Sequence, residues 1–155
     1  MNIFVLSVDP HTAAIFHCDK HVVKMPLETA QMLSTICGGP YKPTHAKHPC
    51  TVWAAASTEN YRWLWQLGIA LSKEYTYRYR KTHKCEAIIE SLREPPTSVP
   101  VGTRTSFAQA MPEECRHYDP VLAYQRYYAL HKQHIGAWKL RIRPYFMNIE
   151  TEEAA

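Results

Sequence analysis

The chain contains 155 residues, 46% of them hydrophobic and 21% charged, a composition typical of a soluble globular domain large enough to bury a core. No apolar run approaches the roughly 20 residues that cross a bilayer, and the amino-terminal residues lack the basic start of a signal peptide. We therefore expect a cytoplasmic protein without a membrane partner. The formal net charge is +4, and residues 120–149 carry basic but no acidic side chains, so this part should attract polyanions.

The amino-terminal part is predicted to be helical after a short first segment. Residues 2–8 could form a strand or an extended arm. Asp9-Pro10 has the residue types of an N-cap and a first helical position. The next helical pattern covers residues 17–37, contains Pro26, and ends at Cys37-Gly38-Gly39-Pro40.

The remainder combines further helices with long loops. Pro49 is expected to open a short helix, and the longest helical pattern covers about residues 58–84. Residues 95–118 should be irregular, and Asp119-Pro120 should start a helix in an aromatic and basic part that covers residues 120–147. The acidic end, 148–155, is expected to fray. The sequence thus predicts a compact, mostly α-helical single domain over residues 1–155.

One face of the helix at 17–37 concentrates chemically versatile side chains. Lys24 and Glu28 are four residues apart with His21 one turn earlier, so an amine, a carboxylate and an imidazole can converge. Such a set permits covalent amine chemistry or general acid/base catalysis. Alternatively, Lys24 binds a phosphate and Glu28 only pairs with it, or the face is simply solvated. The face comprises His17, Lys20, His21, Lys24, Glu28, Gln31 and Thr35.

Histidine and cysteine residues also permit a metal site. His45, His48 and Cys50 could join His21 and the His17-Cys18 pair at spacings that a metal accepts. However, neither C-x-x-C nor H-E-x-x-H occurs, and carboxylate ligands are missing nearby. We therefore expect no metal or other cofactor. His48 is instead expected to cap the helix that follows or to face the same pocket as His21, and the five cysteines to be reduced thiols.

Two stretches alternate aromatic and basic residues, one at 73–84 and one in the carboxyl-terminal part. Cations neutralise phosphates, and aromatic faces stack on unpaired bases. About half of the tyrosines should belong to the core. Two such stretches in one small chain nevertheless favour nucleic acid over a small substrate.

Three features, in this order along the chain, resemble the pyrimidine dimer DNA glycosylase superfamily, which includes phage endonuclease V, and above all its uncharacterised bacterial and phage members. The resemblance covers roughly residues 3–84 and implies an endonuclease V-like helical fold and DNA as the partner. The features are His21-Val-Val-Lys24 with Glu28 and Gln31, His48-Pro49 with Trp53, and the long helix that ends in Glu74-Tyr75 and Tyr79.

The resemblance implies that Glu28 is the catalytic carboxylate and that His21 accompanies it at the DNA. An amine would attack the deoxyribose C1′, the base would leave, and collapse of a Schiff base would cleave the backbone. In the phage enzyme this amine is the free amino terminus, but the same spacing before His21 falls near Ser7, inside the chain. The amine could therefore belong to Lys24, to Lys20 or to a Met1 that folds back; otherwise Glu28 activates water.

The leading hypothesis is a glycosylase that removes damaged or modified bases from DNA, with a possible AP-lyase activity. The alternatives are a non-catalytic nucleic-acid-binding module and a metal-dependent hydrolase built on the histidines. A binding module should tolerate Glu28→Gln, whereas an enzyme should lose turnover and keep affinity. The side chains expected at the DNA are His17, Lys20, Gln31, His48, Arg78, Lys81, Lys139, Arg141 and Arg143.

Overall fold

The computed structural model describes residues 1–148, and the regular structure of these residues is helical. It comprises six α-helices and three short 3-10 helices, with no strand in the described part of the chain. The mostly α-helical prediction is confirmed. The α-helices are α1 (Pro10–Phe16), α2 (Asp19–Cys37), α3 (Pro49–Ala54), α4 (Thr58–Tyr79), α5 (Glu86–Ser91) and α6 (Pro120–His131), and the 3-10 helices are Glu113–Cys115, Gln133–Ile135 and Tyr145–Asn148.

The helix ends that follow from local side-chain chemistry are confirmed. The Asp9 carboxylate accepts a 3.0 Å hydrogen bond from the Thr12 N–H at the start of α1. Asp119 caps α6 in the same way, since it accepts from Val121 N–H. Gly38 ends α2 in the left-handed region, with φ +86°, which glycine adopts without strain.

Two predicted helix boundaries are wrong. α2 begins at Asp19 rather than at residue 17, because the backbone is extended at His17 and Cys18. α4 ends at Tyr79 rather than near residue 84, because Arg80 adopts a left-handed conformation with φ +60°. For residues 2–8, which could have formed a strand or an extended arm, the structure has an extended segment, of which residues 3–6 are buried in the core.

The core lies mainly between α2 and α4, with α1 packed against α4 and α5 closing one side. Gly68 permits the close approach of the two long helices, because a Cβ added there would lie 2.5 Å from Thr29 Cγ2. Thr29 follows Glu28 directly. The packing of α2 on α4 therefore fixes the position of the Glu28 backbone.

The irregular segment 95–118 is confirmed, apart from its short 3-10 helix. Hydrogen bonds attach it to the start of α4: Ser57 donates to Thr103 O at 2.8 Å, and the Asn60 side chain accepts from Thr105 N–H at 2.8 Å. Among residues 1–148 no helix is long and apolar enough to span a membrane. The fraying expected at the acidic end falls on residues 149–155, outside the described residues.

Candidate active site

The amino-terminal segment carries the α-amino group of Met1 to Glu28. Residues 3–6 run through the core, and the Met1 side chain is only 2% exposed. The α-amino nitrogen lies 3.4 Å from Glu28 Oε1. The Asn2 N–H donates a 2.9 Å hydrogen bond to the same oxygen. The first peptide group of the chain is thus held directly against the carboxylate.

The Asn2 side chain anchors this arrangement. Its Oδ1 accepts a 2.9 Å hydrogen bond from the Tyr124 hydroxyl on α6 and a 2.8 Å bond from Ile3 N–H. Its Nδ2 donates to Ala110 O at 2.9 Å, in the irregular segment. Sequence reasoning missed Asn2 and Tyr124. Their residue types carry no signal of this role, since the contacts join parts of the chain that are far apart in sequence.

The Glu28 carboxylate lies between two amines. Lys24 Nζ is 3.5 Å from Glu28 Oε2, on the side opposite to the α-amino contact with Oε1. The Glu28 side chain is 8% exposed, whereas the Lys24 side chain is 67% exposed. The structure therefore brings together Glu28 and two of the three amines that the sequence offers. Lys20 is also exposed on α2 but two turns before Glu28.

His48 caps α3 and lies near the amino terminus. Its Nδ1 accepts a 3.1 Å hydrogen bond from Cys50 N–H, as the sequence predicted for a cap. Burial, followed by the positive charge of the Met1 α-amino group, lowers the pKa of His48. The side chain is therefore neutral near pH 7, and because Nδ1 is the acceptor, the proton resides on Nε2. His48 can donate a hydrogen bond from Nε2 next to the α-amine.

His21 and His17 lie deeper than the sequence suggests. His21 stacks on Phe4 with ring centroids 4.3 Å apart, and its Nδ1 lies 2.5 Å from the Tyr128 hydroxyl. His17 has no exposed surface, and its Nδ1 donates to Ala13 O at 2.6 Å. Burial lowers the pKa of His21 to about 3 and that of His17 to about 4. A contact of His17 with DNA does not fit this position, and His21 is 7% exposed and packs against Phe4 and Tyr128.

Arg78 occupies the interior instead of the surface. Its guanidinium donates to Glu74 at 2.7 Å, to Asp19 at 3.0 Å and to the carbonyl groups of Ile15 and His17 at 2.9 and 2.8 Å. A contact of Arg78 with the DNA backbone does not fit, because the side chain is fully buried and each of its three nitrogens already donates a hydrogen bond inside the protein. Instead, Arg78 ties α4 to the start of α2.

The other predicted DNA-binding cations lie at the surface around this end of α2. Arg141 is half-buried, binds Glu74 at 2.9 Å and lies over the Tyr77 ring. Lys81, Lys139 and Arg143 are exposed. The Lys139 N–H donates to Asp19 at 2.9 Å, which places Lys139 at the first residue of α2. At 1.5 Å per residue, this point is about 14 Å along the helix from Glu28, a distance that a few nucleotides span.

The metal-ligand set suggested by the spacing of the histidines does not assemble. Within residues 1–148, three potential ligand atoms come together only at Glu114, Cys115 and His131, whose ligand atoms lie within 4.8 Å of one another. All five cysteines are free thiols. The geometry therefore gives no support to a hydrolase whose metal is held by His17, His21 and His48.

A family model described as pyrimidine dimer DNA glycosylase matches residues 1–87 of the chain. The match contains α1 to α4 and includes Met1, Glu28 and His48. Neither a curated protein nor a solved structure matches the chain significantly.

Proposed function

Because the chain belongs to the pyrimidine dimer DNA glycosylase family, we propose that it excises a damaged base from DNA and then cleaves the strand at the abasic site. Glu28 and the α-amine of Met1 are the reactive pair in this proposal. The observation that carries it is their 3.4 Å contact. A carboxylate that is almost fully buried beside an amine is the arrangement needed for covalent catalysis through a Schiff base.

The α-amine is the better nucleophile of the two amines at Glu28. Attack on carbon requires a neutral amine, and α-amines as a class lose their proton near pH 8, whereas lysine side chains do so above about pH 10. The backbone of Asn2 holds the α-amine in place, whereas the amine of Lys24 lies at the end of a flexible, exposed side chain. In this proposal Lys24 binds a DNA phosphate next to the reacting sugar.

The reaction balances with these groups. The amine nitrogen forms a bond to C1′, the bond from C1′ to the base breaks, and the base leaves with the electron pair and takes up a proton. Glu28 accepts the proton lost by the nitrogen and passes it to the sugar ring oxygen, so that the ring opens to a protonated Schiff base and Glu28 is a carboxylate again. Glu28 then removes a proton from C2′, and the bond from C3′ to the phosphate oxygen breaks. Water finally hydrolyses the Schiff base and releases the amine.

His48 contributes a hydrogen-bond donor to the same site. Its Nδ1 is occupied by Cys50 N–H, so Nε2–H is free to donate to the sugar ring oxygen as the ring opens. Burial, followed by the α-amino charge, lowers the pKa of this imidazole. The donor therefore stays neutral and does not draw Glu28 into an ion pair.

Borohydride trapping on a duplex with an abasic site tests the proposal. Reduction converts the Schiff base into a stable bond, and trypsin digestion then locates it. An adduct on the α-amine stays with peptide 1–20, whereas an adduct on Lys24 blocks cleavage after residue 24 and appears in a peptide that begins at residue 21. We expect the adduct in peptide 1–20.

Two variants serve as controls. Lys24→Ala should still be trapped, because the α-amine remains, and Glu28→Gln should bind DNA but lose strand cleavage, because the amide cannot accept a proton. An adduct that maps to Lys24 would overturn the assignment of the nucleophile. Salt-dependent DNA binding without any adduct would overturn the lyase reaction and favour a nucleic-acid-binding module.

A further inference from the structure

A thiol, an imidazole and a carboxylate meet where the irregular segment 95–118 packs against the end of α6. Glu114 and Cys115 belong to the 3-10 helix Glu113–Cys115, and His131 is the last residue of α6. One ligand atom of each residue lies within 4.8 Å of those of the other two. None of the three side chains takes part in the reaction proposed for Met1 and Glu28, so that reaction does not account for their meeting.

The imidazole and the carboxylate stand at nearly the separation of two zinc ligands. His131 Nε2 lies 3.1 Å from Glu114 Oε1. Two such atoms on one tetrahedral zinc ion, each bonded to it at about 2.0–2.2 Å, are about 3.3 Å apart. The side chain of His131 is 37% exposed and that of Glu114 is 61% exposed. An ion can therefore enter from solvent, and both side chains can adjust around it.

The Cys115 thiol completes the set from the protein interior. Cys115 has no exposed surface. Within residues 1–148 its thiol forms neither a disulfide nor a hydrogen bond. A buried sulfur donor that the described part of the chain does not otherwise use thus lies beside the carboxylate and the imidazole.

The donor types indicate which ion fits. Thiolate and imidazole ligands suit zinc, whereas magnesium and calcium take oxygen ligands. One thiolate and one carboxylate together balance the two positive charges of Zn²⁺. Three protein ligands leave the fourth tetrahedral position to water, which can reach the ion along the exposed side of Glu114.

We propose that Glu114, Cys115 and His131 bind one Zn²⁺ ion, with a water molecule as the fourth ligand. The Cys115 thiol loses its proton to solvent on binding, and the electron pair left on sulfur forms the bond to zinc. The site does not depend on the proposed glycosylase reaction. No local motif signals it, because its ligands come from two parts of the chain that only the tertiary structure brings together.

The ion fastens the irregular segment to α6. These are the two parts of the chain that hold the Asn2 side chain, through the Ala110 carbonyl and the Tyr124 hydroxyl. A bond between them through zinc adds to the contacts that fix the two parts together. The proposed role is therefore structural.

Titration with Co²⁺ tests the site, because cobalt takes the same ligands as zinc and reports them by absorption. The complete chain, freed of metal with a chelator, should develop a near-ultraviolet thiolate-to-cobalt band that saturates at one ion per chain. Zn²⁺ should then abolish the band by displacing the cobalt. Cys115→Ser should lack the band, whereas Cys37→Ser, at a half-buried cysteine outside the cluster, should retain it.

The two surface ligands keep the test valid if Cys115→Ser does not fold. Glu114→Ala and His131→Ala should each weaken zinc binding by more than about 100-fold, because even loss of a group that only supports a ligand costs about 10–100-fold. Glu113→Ala and His134→Ala, at exposed neighbours, are the matched controls and should bind zinc like the wild type. Added zinc should raise the Tm of the wild type and of both controls, but not that of the two ligand variants at the same concentration.

Two outcomes would overturn the site. One is a wild-type protein that gives no thiolate-to-cobalt band. The other is zinc binding that none of the ligand variants weakens. Either result would leave His131 and Glu114 as a surface ion pair beside a buried thiol.

Discussion

The Tyr124 hydroxyl donates a 2.9 Å hydrogen bond to the side-chain oxygen of Asn2, across 122 residues of sequence. The same hydroxyl accepts from Ala110 N–H at 3.2 Å and lies 2.9 Å from Ala108 O, which shares its single proton with Asn2. One phenol therefore joins α6, the irregular segment and the residue that follows the α-amine. Tyr124 touches no reacting atom in the proposed mechanism and acts through Asn2, as a positioning residue.

Tyr124→Phe should make the position of the Met1 α-amine less fixed, while the amine itself remains. The variant leaves Ala110 N–H and the Asn2 oxygen short of a partner, which should lower the free energy of unfolding by about 1–3 kcal/mol. Trapping on abasic DNA should slow several-fold, while the Kd for DNA stays unchanged. Tyr118→Phe, at a side chain that is 93% exposed, should alter neither. Normal trapping kinetics in folded Tyr124→Phe would show that Asn2 needs no support from α6.

Local chemistry explains what the sequence could predict. The caps at Asp9 and Asp119 depend on residues within three positions of each other, and the pairing of Lys24 with Glu28 follows from helical periodicity. These features therefore appear in the sequence as patterns. The contact of Met1 with Glu28 does not, because it depends on the path of residues 3–6 through the core.

Burial accounts for the side chains that the sequence misplaced. Arg78 belongs to a basic and aromatic stretch that is typical of a nucleic-acid-binding surface, yet the structure surrounds it with Glu74, Asp19 and two carbonyl groups. Only tertiary structure supplies these partners. The end of α4 has a similar explanation, since Arg80 takes up a left-handed conformation that no residue type at this position signals.

The stability of the protein should fall in mild acid. The pKa is about 4 for His17 and about 3 for His21, both lowered by burial from 6.5. Below pH 6.5 the unfolded chain therefore binds protons that the folded chain does not. The free energy of unfolding should be constant between about pH 7 and 8 and fall by up to about 2.7 kcal/mol per pH unit between pH 6 and 4.

Urea unfolding at a series of pH values measures this slope. His21→Asn should reduce it by about half, because one of the two titrating groups is gone. His134→Ala, at an exposed histidine, should leave it unchanged. Equal unfolding free energies at pH 7.5 and pH 5 would contradict the burial of the two imidazoles.

Removal of the Arg78 side chain should be strongly destabilising. Arg78→Ala leaves two carbonyl groups without their partner and Glu74 with Arg141 alone, a loss of about 3–5 kcal/mol for a buried ion pair. Arg62→Ala removes an exposed cation that pairs with Glu59 at the surface and should cost less than about 1 kcal/mol. Urea denaturation compares the two directly. A small effect of Arg78→Ala on the free energy of unfolding would contradict the burial of its guanidinium and would favour a contact of Arg78 with DNA.

Salt dependence of DNA binding should identify the cations that contact phosphates. Lys81→Ala and Lys139→Ala should each lower the slope of log Kobs against log salt by about 0.9, because both side chains are exposed where α2 begins and α4 ends. Lys73 is an exposed cation too, but it is bound to Glu86 at 2.7 Å. Lys73→Ala should therefore leave the slope unchanged. An equal reduction by all three variants would indicate a general charge effect instead of a defined DNA path.

Gly68→Ala should separate α2 from α4 and move Glu28. The new Cβ would lie 2.5 Å from Thr29 Cγ2, and the branched Thr29 side chain has little freedom to turn away. Overpacking of this kind costs about 1–3 kcal/mol, against which the better helix propensity of alanine offsets about 1 kcal/mol. We expect a net loss of up to about 2 kcal/mol in the free energy of unfolding and slower trapping on abasic DNA. Gly102→Ala is the matched control, because its Cβ would meet Ser57 at an ordinary 3.5 Å. Unchanged stability and trapping in Gly68→Ala would show that α2 can shift on α4 without disturbing the contact of Met1 with Glu28.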